Sequence, residues 1–346
     1  MSVIGLLDVR PRVRLGHLPT PVEPMDNLAR RLAGHGGAPR LLVKRDDCTG
    51  IGFGGNKVRQ LEFYLGDALA AGADTVLITG AVQSNFVRTC AAMAARLGLA
   101  CHAQLEERVP RNDPLYRGGG NVLLDRIAGA TIHSYPEGED EAGADRALEA
   151  LADRLRAEGR RPYVIHLGTD HPPLGALGYV AMADELLGQL AATGTIVDRI
   201  FLASGSAATH TGTLWGLRAL GSAIPVVGIC VRRAAALQAA RVRAGLDRIS
   251  ALLGHDPGFA ADDVRVDDAV LAPGYGRLNA ATREAIALAG ATEGLFVDPV
   301  YSGRVLAALV AAVRDGSVAA GESVLFVHTG GQPALFAYGD DVLATG

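Results

Sequence analysis

The sequence has few aromatic residues and no excess of positive charge. Aromatic residues make up 5% of the 346 residues, the formal net charge is −4, and the pI is about 6.1. Proteins that bind nucleic acid need basic patches and often use aromatic rings that stack on bases. The composition therefore argues against nucleic acid as a partner.

Cysteine is also scarce. The four cysteines are far apart, and no two of them form a CxxC pair: Cys48, Cys90, Cys101 and Cys230. Structural zinc sites and disulfide frameworks both need closely or regularly spaced cysteines. We therefore expect reduced thiols and no metal.

Long hydrophobic runs are absent. No stretch approaches the roughly 20 apolar residues of a membrane-spanning helix. The apolar run in the first ten residues is interrupted by Asp8 and is too short for the core of a signal peptide. We expect a cytoplasmic protein that does not interact with membranes.

What the sequence has in abundance is short apolar runs that end in glycine or small polar residues. They cover residues 75–81, 163–169, 199–206, 226–231 and 324–331. Runs that are apolar throughout are typical of parallel strands buried on both faces. Helical patterns lie between them, for example at 56–72 and 84–98. This alternation predicts an open α/β fold, in which ligands bind beyond the carboxyl ends of the strands.

The segment Gly54-Gly55-Asn56-Lys57 places two glycines just before a lysine. Paired glycines indicate a tight turn or a backbone that another group approaches closely. By itself the segment is more typical of a solvated surface loop with a lysine. If other strand-end loops meet it, Lys57 is a candidate reactive amine.

Two strand ends carry small and polar residues. Ser84 and Asn85 follow the run at 75–81, where Ser84 is suited to cap the next helix whether or not it has a function. The segment 204–212, SGSAATHTG, leads from a strand into a helix. Such a loop favours a phosphate, although it also fits a loop packed under a neighbouring helix. It matches neither the dinucleotide nor the P-loop fingerprint, which leaves a phosphomonoester as the natural ligand.

Hydroxyl groups complete this set of candidates. Tyr275, Tyr301, Ser302 and Thr329 stand in glycine-containing segments near the C-terminus. Each tyrosine alone is more typical of a packing residue. An amine, a phosphate-binding loop and several hydroxyls together are what pyridoxal phosphate requires.

Several long motifs resemble one family. They are KRDDCTGIGFGGNKVRQLEF, GAVQSNFVRTCAAMAARLGL, GALGYV, SGSAATHTG, EGLFVDPVYSG and HTGGQPALFAY. They are similar to the pyridoxal-phosphate enzymes that include D-cysteine desulfhydrase, 1-aminocyclopropane-1-carboxylate deaminase and L-cysteate sulfo-lyase. The resemblance implies the α/β fold of the tryptophan synthase β-like enzymes (fold type II), with two open twisted domains. It implies a large domain of residues 1–55 and 163–346, a small domain of 56–162, the cofactor in the cleft between them, and a homodimer.

The resemblance also assigns residue roles. Lys57 is implied to bind the cofactor covalently, Asn85 to contact its ring hydroxyl, and the loop 205–209 to hold its phosphate. The implied catalytic residues are Lys57, Ser84, Tyr275 and Tyr301. The implied cofactor-binding residues are Lys57, Asn85, Gly205, Ser206, Ala207, Ala208, Thr209, Ser302 and Thr329. The implied substrate-binding residues are Gln83, Ser84, Asn85, Tyr275 and Tyr301.

The substrate is left open among three activities. Similar deaminases carry Glu and Leu where this chain has Ser302 and Thr329. A neutral hydroxyl does not keep the ring nitrogen protonated as a carboxylate would, which disfavours cyclopropane opening. We therefore expect a carbon–sulfur lyase, with D-cysteine ahead of L-cysteate, the deaminase third, and another β-substituted amino acid as a further alternative. A protein that only stores the cofactor would not need the hydroxyl groups.

Four residues depart from the pattern of these relatives: Gln60, Phe86, Asp170 and Gln332. Gln60 stands where many relatives have a lysine that helps to bind the phosphate. Phe86 and Gln332 are expected to reshape the pocket.

Overall fold

The computed structural model describes residues 3–33, 37–168 and 170–344, and within these ranges the strands form two sheets. The larger sheet is built from β1 (Val22–Pro24), β2 (Arg40–Lys44), β7 (Arg199–Ser204), β8 (Val226–Cys230), β9 (Arg265–Asp267) and β10 (Ser323–Val327). Its strand order is β1–β2–β10–β7–β8–β9. The β1–β2 pair is antiparallel, and the other pairs are parallel.

The smaller sheet has four parallel strands. They are β3 (Thr75–Ala81), β4 (Ala100–Glu106), β5 (Thr131–Tyr135) and β6 (Pro162–Ile165). Their order is β5–β4–β3–β6. Every residue of β3 is buried, as its uninterrupted apolar sequence predicts.

Helices cover both sheets. They are α1 (Val3–Asp8), α2 (Asp26–Leu32), α3 (Asn56–Ala70), α4 (Asn85–Leu97), α5 (Pro114–Gly118), α6 (Gly120–Ile127), α7 (Glu141–Ala157), α8 (Leu174–Thr193), α9 (Ala208–Ala219), α10 (Ala235–Leu253), α11 (Ala280–Glu293), α12 (Ser302–Arg314), α13 (Pro333–Ala337) and α14 (Gly339–Leu343). Two 3₁₀ turns, Asp46–Cys48 and Ile51–Phe53, lie between β2 and α3. None of the helices in the described ranges is long and apolar enough to cross a membrane.

The core consists of layers on each side of the sheets. One face of the larger sheet packs against α8, α9 and α10, and the other packs against α2, α11 and α12. The smaller sheet packs against α3 and α4 on one face and α7 on the other. Each sheet is thus buried on both faces, which is the arrangement expected of parallel strands.

The observed strands differ from the predicted runs mainly at their ends. β6 ends at Ile165, whereas the apolar run extends to residue 169, which lies outside the described residues. β6 also pairs with β3, so it belongs to the smaller sheet although residues from 163 onward were assigned to the large domain. The division into two domains at these boundaries stays a prediction.

Candidate active site

A cavity lies where the carboxyl ends of strands from both sheets meet. Residues that follow β3, β7 and β10 line it, together with the first turns of α3, α4 and α9. Eleven of the thirteen predicted site residues line this cavity: Lys57, Ser84, Asn85, Gly205, Ser206, Ala207, Ala208, Thr209, Tyr275, Tyr301 and Thr329. Gln83 and Ser302 do not.

Lys57 stands in the first turn of α3. Its Nζ donates to Gln60 Oε1 at 3.2 Å, and it lies 5.4 Å from the centre of the Phe86 ring. Burial lowers the pKa of the Lys57 amine from 10.5 to about 8, because a desolvated ammonium is disfavoured. A much larger fraction of the amine is therefore neutral, and nucleophilic, than for an exposed lysine.

The two glycines before Lys57 are required by backbone crowding. Gly54 has φ +63°, and a Cβ on it would lie 2.1 Å from the carbonyl oxygen of Asp47. Gly55 has φ +110°, and its Cβ would lie 2.9 Å from the carbonyl oxygen of Thr329. The prediction of a close approach is correct, but the crowding groups are protein backbone. The glycines let this loop pack between its neighbours and start α3 at Asn56.

The loop after β7 has the features of an anion cradle. Ala207 adopts the left-handed conformation, with φ +78° and ψ −16°, and α9 begins at the next residue. The first amides of a helix have no intrahelical acceptor, and a left-handed residue beside them turns successive N–H groups toward one point. Thr209 Oγ1 accepts from Asn56 Nδ2 at 2.9 Å and from Gln60 Nε2 at 3.0 Å, which ties the loop to α3.

Ser84 and Asn85 begin α4 at the end of β3. Ser84 Oγ accepts from the backbone amide of Val87 at 3.2 Å, so Ser84 is an N-cap as predicted. The hydroxyl retains its own proton for donation into the cavity. A Cβ on Gly80 would lie 2.4 Å from Ser84 Oγ, so glycine at position 80 leaves room for this side chain.

Gln83 turns away from the cavity. Its Nε2 donates to the carbonyl oxygens of Tyr116 and Gly119 at 2.7 and 3.0 Å, and its Oε1 accepts from the amide of Asn121. Asn121 Nδ2 in turn donates to Asn85 Oδ1 at 3.0 Å. Gln83 thus fixes Asn121, which orients the amide of Asn85 so that its Nδ2 is available to an acceptor.

Tyr275 and Tyr301 form a hydroxyl pair. Their oxygens are 2.6 Å apart, and their rings meet edge to face with centres 6.1 Å apart. Burial, followed by the neighbouring Tyr275, raises the pKa of the Tyr301 hydroxyl well above its usual value. Tyr301 is therefore protonated at neutral pH and can act as a hydrogen-bond donor.

Ser302 lies behind the cavity and is fully buried. Its Oγ donates to Asp298 Oδ1 at 2.6 Å and to the carbonyl oxygen of Gly330 at 3.2 Å, and it accepts from the Asp298 amide at 2.8 Å. The Asp298 carboxylate also accepts from the amides of Val300, Tyr301 and Ser302 at 2.7–3.0 Å. Ser302 and Asp298 therefore fix the start of α12 and the backbone that carries Tyr301.

The residues that depart from the family pattern differ in whether they line the cavity. Phe86 lines the cavity beside Lys57, and Gln60 joins Lys57 to Thr209. Gln332 does not line the cavity, because its Nε2 donates to Asp47 Oδ2 at 3.3 Å. The expected effect of Gln332 on the pocket is therefore indirect at most.

Sequence reasoning missed the charged residues of the cavity. Five arginines and one glutamate line it: Arg108, Arg232, Arg233, Arg241, Arg248 and Glu141. The only local signal is the Arg241–Arg248 spacing of seven residues, which places both side chains on one face of α10. Arg232 and Arg233 share the loop between β8 and α10, Arg108 follows β4, and Glu141 begins α7, so only the fold brings these segments together.

One cluster near the cavity has metal-binding residue types. Single ligand atoms of Asp145, His166 and His171 lie within 4.8 Å of one another. The two imidazole rings are stacked, with centres 3.5 Å apart and an angle of 3° between their planes. The in-plane lone pairs of stacked rings run parallel and do not converge on one ion. His166 instead contacts Asp145 and Glu149, at 3.4 and 3.0 Å.

Comparisons with known proteins identify the family of this chain. The family described as "Pyridoxal-phosphate dependent enzyme" matches residues 13–330. The chain is 38% identical over 322 residues to the 1-aminocyclopropane-1-carboxylate deaminase of Methylobacterium nodulans, covering 93% of this chain and 94% of the relative. It is 40% identical over 328 residues to the D-cysteine desulfhydrase of Salmonella choleraesuis, covering 95% and 96%.

Solved structures support the same family and the same fold. A crystal structure described as an ACC deaminase homologue matches with a TM-score of 0.85 and 34% identity, covering 99% of this chain and 98% of that one. An O-ureido-L-serine synthase matches with a TM-score of 0.66 at 19% identity, which supports the fold alone. The predicted family, fold type II architecture and cofactor are confirmed. The chain belongs to the pyridoxal-phosphate-dependent enzymes, among the relatives named 1-aminocyclopropane-1-carboxylate deaminase and D-cysteine desulfhydrase.

Proposed function

We propose that Lys57, Asn85 and the loop 205–209 hold pyridoxal phosphate, with Thr329 and Ser302 on the side of the ring nitrogen. The left-handed Ala207 and the uncapped amides of α9 fit a phosphate. A Cβ on Gly331 would lie 2.9 Å from Asn85 Nδ2, so glycine there keeps space around the amide that is to contact the ring hydroxyl. We further propose that the cofactor lies between a large domain (1–55 and 163–346) and a small domain (56–162), with β6 belonging to the sheet of the small domain.

We propose that the enzyme is a carbon–sulfur lyase that eliminates the β-substituent of an amino acid and releases pyruvate and ammonia. D-cysteine, which yields sulfide, and L-cysteate, which yields sulfite, are the two candidate substrates. The observation that carries this proposal is the presence, in one cavity, of a lysine amine with a lowered pKa and a pair of tyrosine hydroxyls 2.6 Å apart. An elimination needs both a base at Cα and a group that assists departure from Cβ.

The bound cofactor supplies an electron sink for the charge that develops at Cα. The protein's own groups do the rest. The Lys57 amine is positioned to take the proton from Cα. The Ser84 hydroxyl and the N-terminus of α4 bind the substrate carboxylate. The Tyr275–Tyr301 pair is suited to stabilise a leaving thiolate by hydrogen bonding, since Tyr301 stays protonated at neutral pH.

Deamination of 1-aminocyclopropane-1-carboxylate is the third candidate, because several relatives carry that name. Ser302 makes the deaminase activity less favourable. Its hydroxyl is neutral and already hydrogen-bonded to Asp298, so it supplies no negative charge to the ring nitrogen. Ring opening without a leaving group depends more on the electron sink than elimination does.

The test is an absorbance spectrum of the purified protein followed by assays of keto-acid release. D-cysteine, L-cysteine, L-cysteate and 1-aminocyclopropane-1-carboxylate are compared, with separate detection of sulfide and sulfite. Release of either sulfur product supports the lyase. Turnover of the cyclopropane substrate alone would replace it with the deaminase. The variant Lys57→Ala should lose both the bound-cofactor absorbance and turnover.

A further inference from the structure

A carboxylate from one sheet layer meets arginines from the other at the cavity wall. Glu141 begins α7, which packs on the smaller sheet, and it is the one carboxylate among the described residues that line the cavity. Its Oε1 accepts from Arg232 Nη1 at 2.7 Å and from Arg233 Nη2 at 2.5 Å. Its Oε2 lies 3.5 Å from Arg241 Nη1. All three arginines belong to the segment after β8 of the larger sheet, so these contacts connect the two sheets beside the cavity.

Glu141 is ionised at neutral pH. Burial raises the pKa of its carboxyl, but the charges of Arg241, Arg232 and Arg233 outweigh burial and hold the pKa below its usual value. Charge-assisted hydrogen bonds to a carboxylate fix a planar guanidinium in direction as well as in position. Glu141 therefore limits where the guanidinium groups can point.

The segment that carries Glu141 is itself held in place. Arg232 Nη2 donates to Glu139 Oε2 at 3.0 Å and to the carbonyl oxygen of Gly138 at 3.4 Å. A Cβ on Gly138 would lie 2.4 Å from the carbonyl oxygen of Glu107, so glycine there lets the segment pack against the end of β4. The carboxylate thus holds the arginines from a fixed position.

Two of the arginines also contact the loop 205–209 (the phosphate loop). Arg233 Nη1 donates to the carbonyl oxygen of Gly205 at 3.2 Å. Arg241 Nε donates to the carbonyl oxygen of Ser206, also at 3.2 Å. Each of these side chains therefore connects the carboxylate on α7 to one peptide carbonyl of the phosphate loop.

These contacts set the direction of two backbone amides. In a trans peptide the carbonyl and the following N–H point in opposite directions. Because the carbonyls of Gly205 and Ser206 point to the arginines, the N–H groups of Ser206 and Ala207 point away from them. The amides of residues 206–209 donate to no backbone acceptor within the described ranges. They are the donors that remain available to a phosphate.

We propose that Glu141 is a positioning residue for the cofactor phosphate: by holding Arg233 and Arg241, it orients the peptides of the phosphate loop so that their amides face the phosphate. This inference rests on the proposed role of the loop in binding pyridoxal phosphate, and it adds a residue from the smaller sheet layer to that role. A carboxylate near a phosphate repels it through charge. Positioning and charge therefore predict opposite effects when Glu141 is neutralised.

The test compares the binding of pyridoxal phosphate and of pyridoxal, which lacks the phosphate, to the cofactor-free protein in equilibrium dialysis. Glu141→Gln keeps the size of the side chain and should lower the ratio of the two association constants, phosphate form over pyridoxal, about tenfold or more, the range for losing charge-assisted hydrogen bonds. If Glu141 acted only as a negative charge, the ratio would rise instead. The control Glu284→Gln, at an exposed pair with Arg314, should leave the ratio unchanged.

A second variant keeps the charge and changes only the geometry. In Arg241→Lys a single ammonium replaces the fork of N–H donors that reaches both Ser206 and Glu141. The same ratio should therefore fall about tenfold. An explanation by charge alone predicts no change.

The outcomes separate this inference from the proposed function. If the unaltered protein binds both ligands equally, the proposed phosphate site itself fails. If it prefers pyridoxal phosphate but both variants keep the preference, or if Glu141→Gln strengthens it, the positioning role is wrong.

A measurement on the unaltered protein covers variants that do not fold. Coupling between the phosphate loop and the segment of Glu141 is reciprocal, so a bound phosphate should also stabilise that segment. In hydrogen exchange, pyridoxal phosphate should slow the amides of 138–143 more than pyridoxal does. Slowing that is confined to 205–209 would overturn the proposal.

Discussion

The lowered pKa of Lys57 predicts how the protein without cofactor captures pyridoxal phosphate. Only the neutral amine attacks the cofactor aldehyde, so the rate of attachment follows the fraction of Lys57 that is deprotonated. Because burial places the pKa near 8, we expect this rate to rise about tenfold per pH unit from pH 6 and to level off above about pH 8.

The size of the effect follows from the two pKa values. At pH 7 an amine with a pKa of 10.5 is neutral in about one molecule in 3000, whereas one with a pKa of about 8 is neutral in about one in 11. Desolvation alone therefore raises the reactive fraction about 300-fold. The Gln60 carbonyl and the Phe86 ring favour the charged amine and act in the opposite direction.

The assay is stopped-flow absorbance of cofactor attachment to the cofactor-free protein between pH 6 and pH 10. Nα-acetyl-lysine under the same conditions gives the pH profile of an exposed amine that reacts with the same cofactor. Lys57→Arg serves as the control in which no attachment signal should form. If the rate for the protein is still rising steeply at pH 10, as it does for Nα-acetyl-lysine, the argument that burial activates Lys57 is refuted.

Three substitutions test other parts of the site. Gln60→Lys should leave the dissociation constant of the cofactor within about threefold of the original value in equilibrium dialysis, because Arg233 and Arg241 already place positive charge at the phosphate loop; binding tighter by tenfold or more would contradict this. Ser302→Glu should destabilise the protein by about 3 kcal/mol or more in urea unfolding, because it buries a carboxylate beside Asp298, whereas Ser302→Ala should cost only about 1 kcal/mol. Asp46→Asn should cost about 3–5 kcal/mol, since the fully buried Asp46 accepts two hydrogen bonds from Arg59; a loss below about 1 kcal/mol would show that this pair is not important.

The parts of the fold that the sequence predicted are those with a strong local signal. β3, β7 and β10 are apolar throughout and lie in the middle of the sheets, so their burial on both faces is visible in their composition. β4 also lies in the middle of its sheet but was missed, because its sequence contains Gln104 and Glu106. Both are buried, and contacts distant in sequence satisfy them: Gln104 Nε2 donates to the Ala144 carbonyl, and Glu106 accepts from Thr79.

The same distinction applies to the site. Lys57, Ser84 and the loop 205–209 could be found because each stands at the end of a strand or the start of a helix, where the local pattern marks it. The polar contacts of Gln83 run to segments more than 30 residues away, so its turn away from the cavity could not be predicted.

Charge at the active site shows why a single substitution is a poor guide to function. Gln60 by itself suggests a weakened phosphate site, since it removes a cation that many relatives have. Arg233 and Arg241, which approach the same loop from the segment after β8, replace that cation from a different part of the fold. The phosphate can then be neutralised without a lysine at position 60. This leaves Gln60 to connect Lys57 with Thr209. The exchange at position 60 is therefore better explained by a redistribution of charge within the cavity than by a loss of cofactor binding.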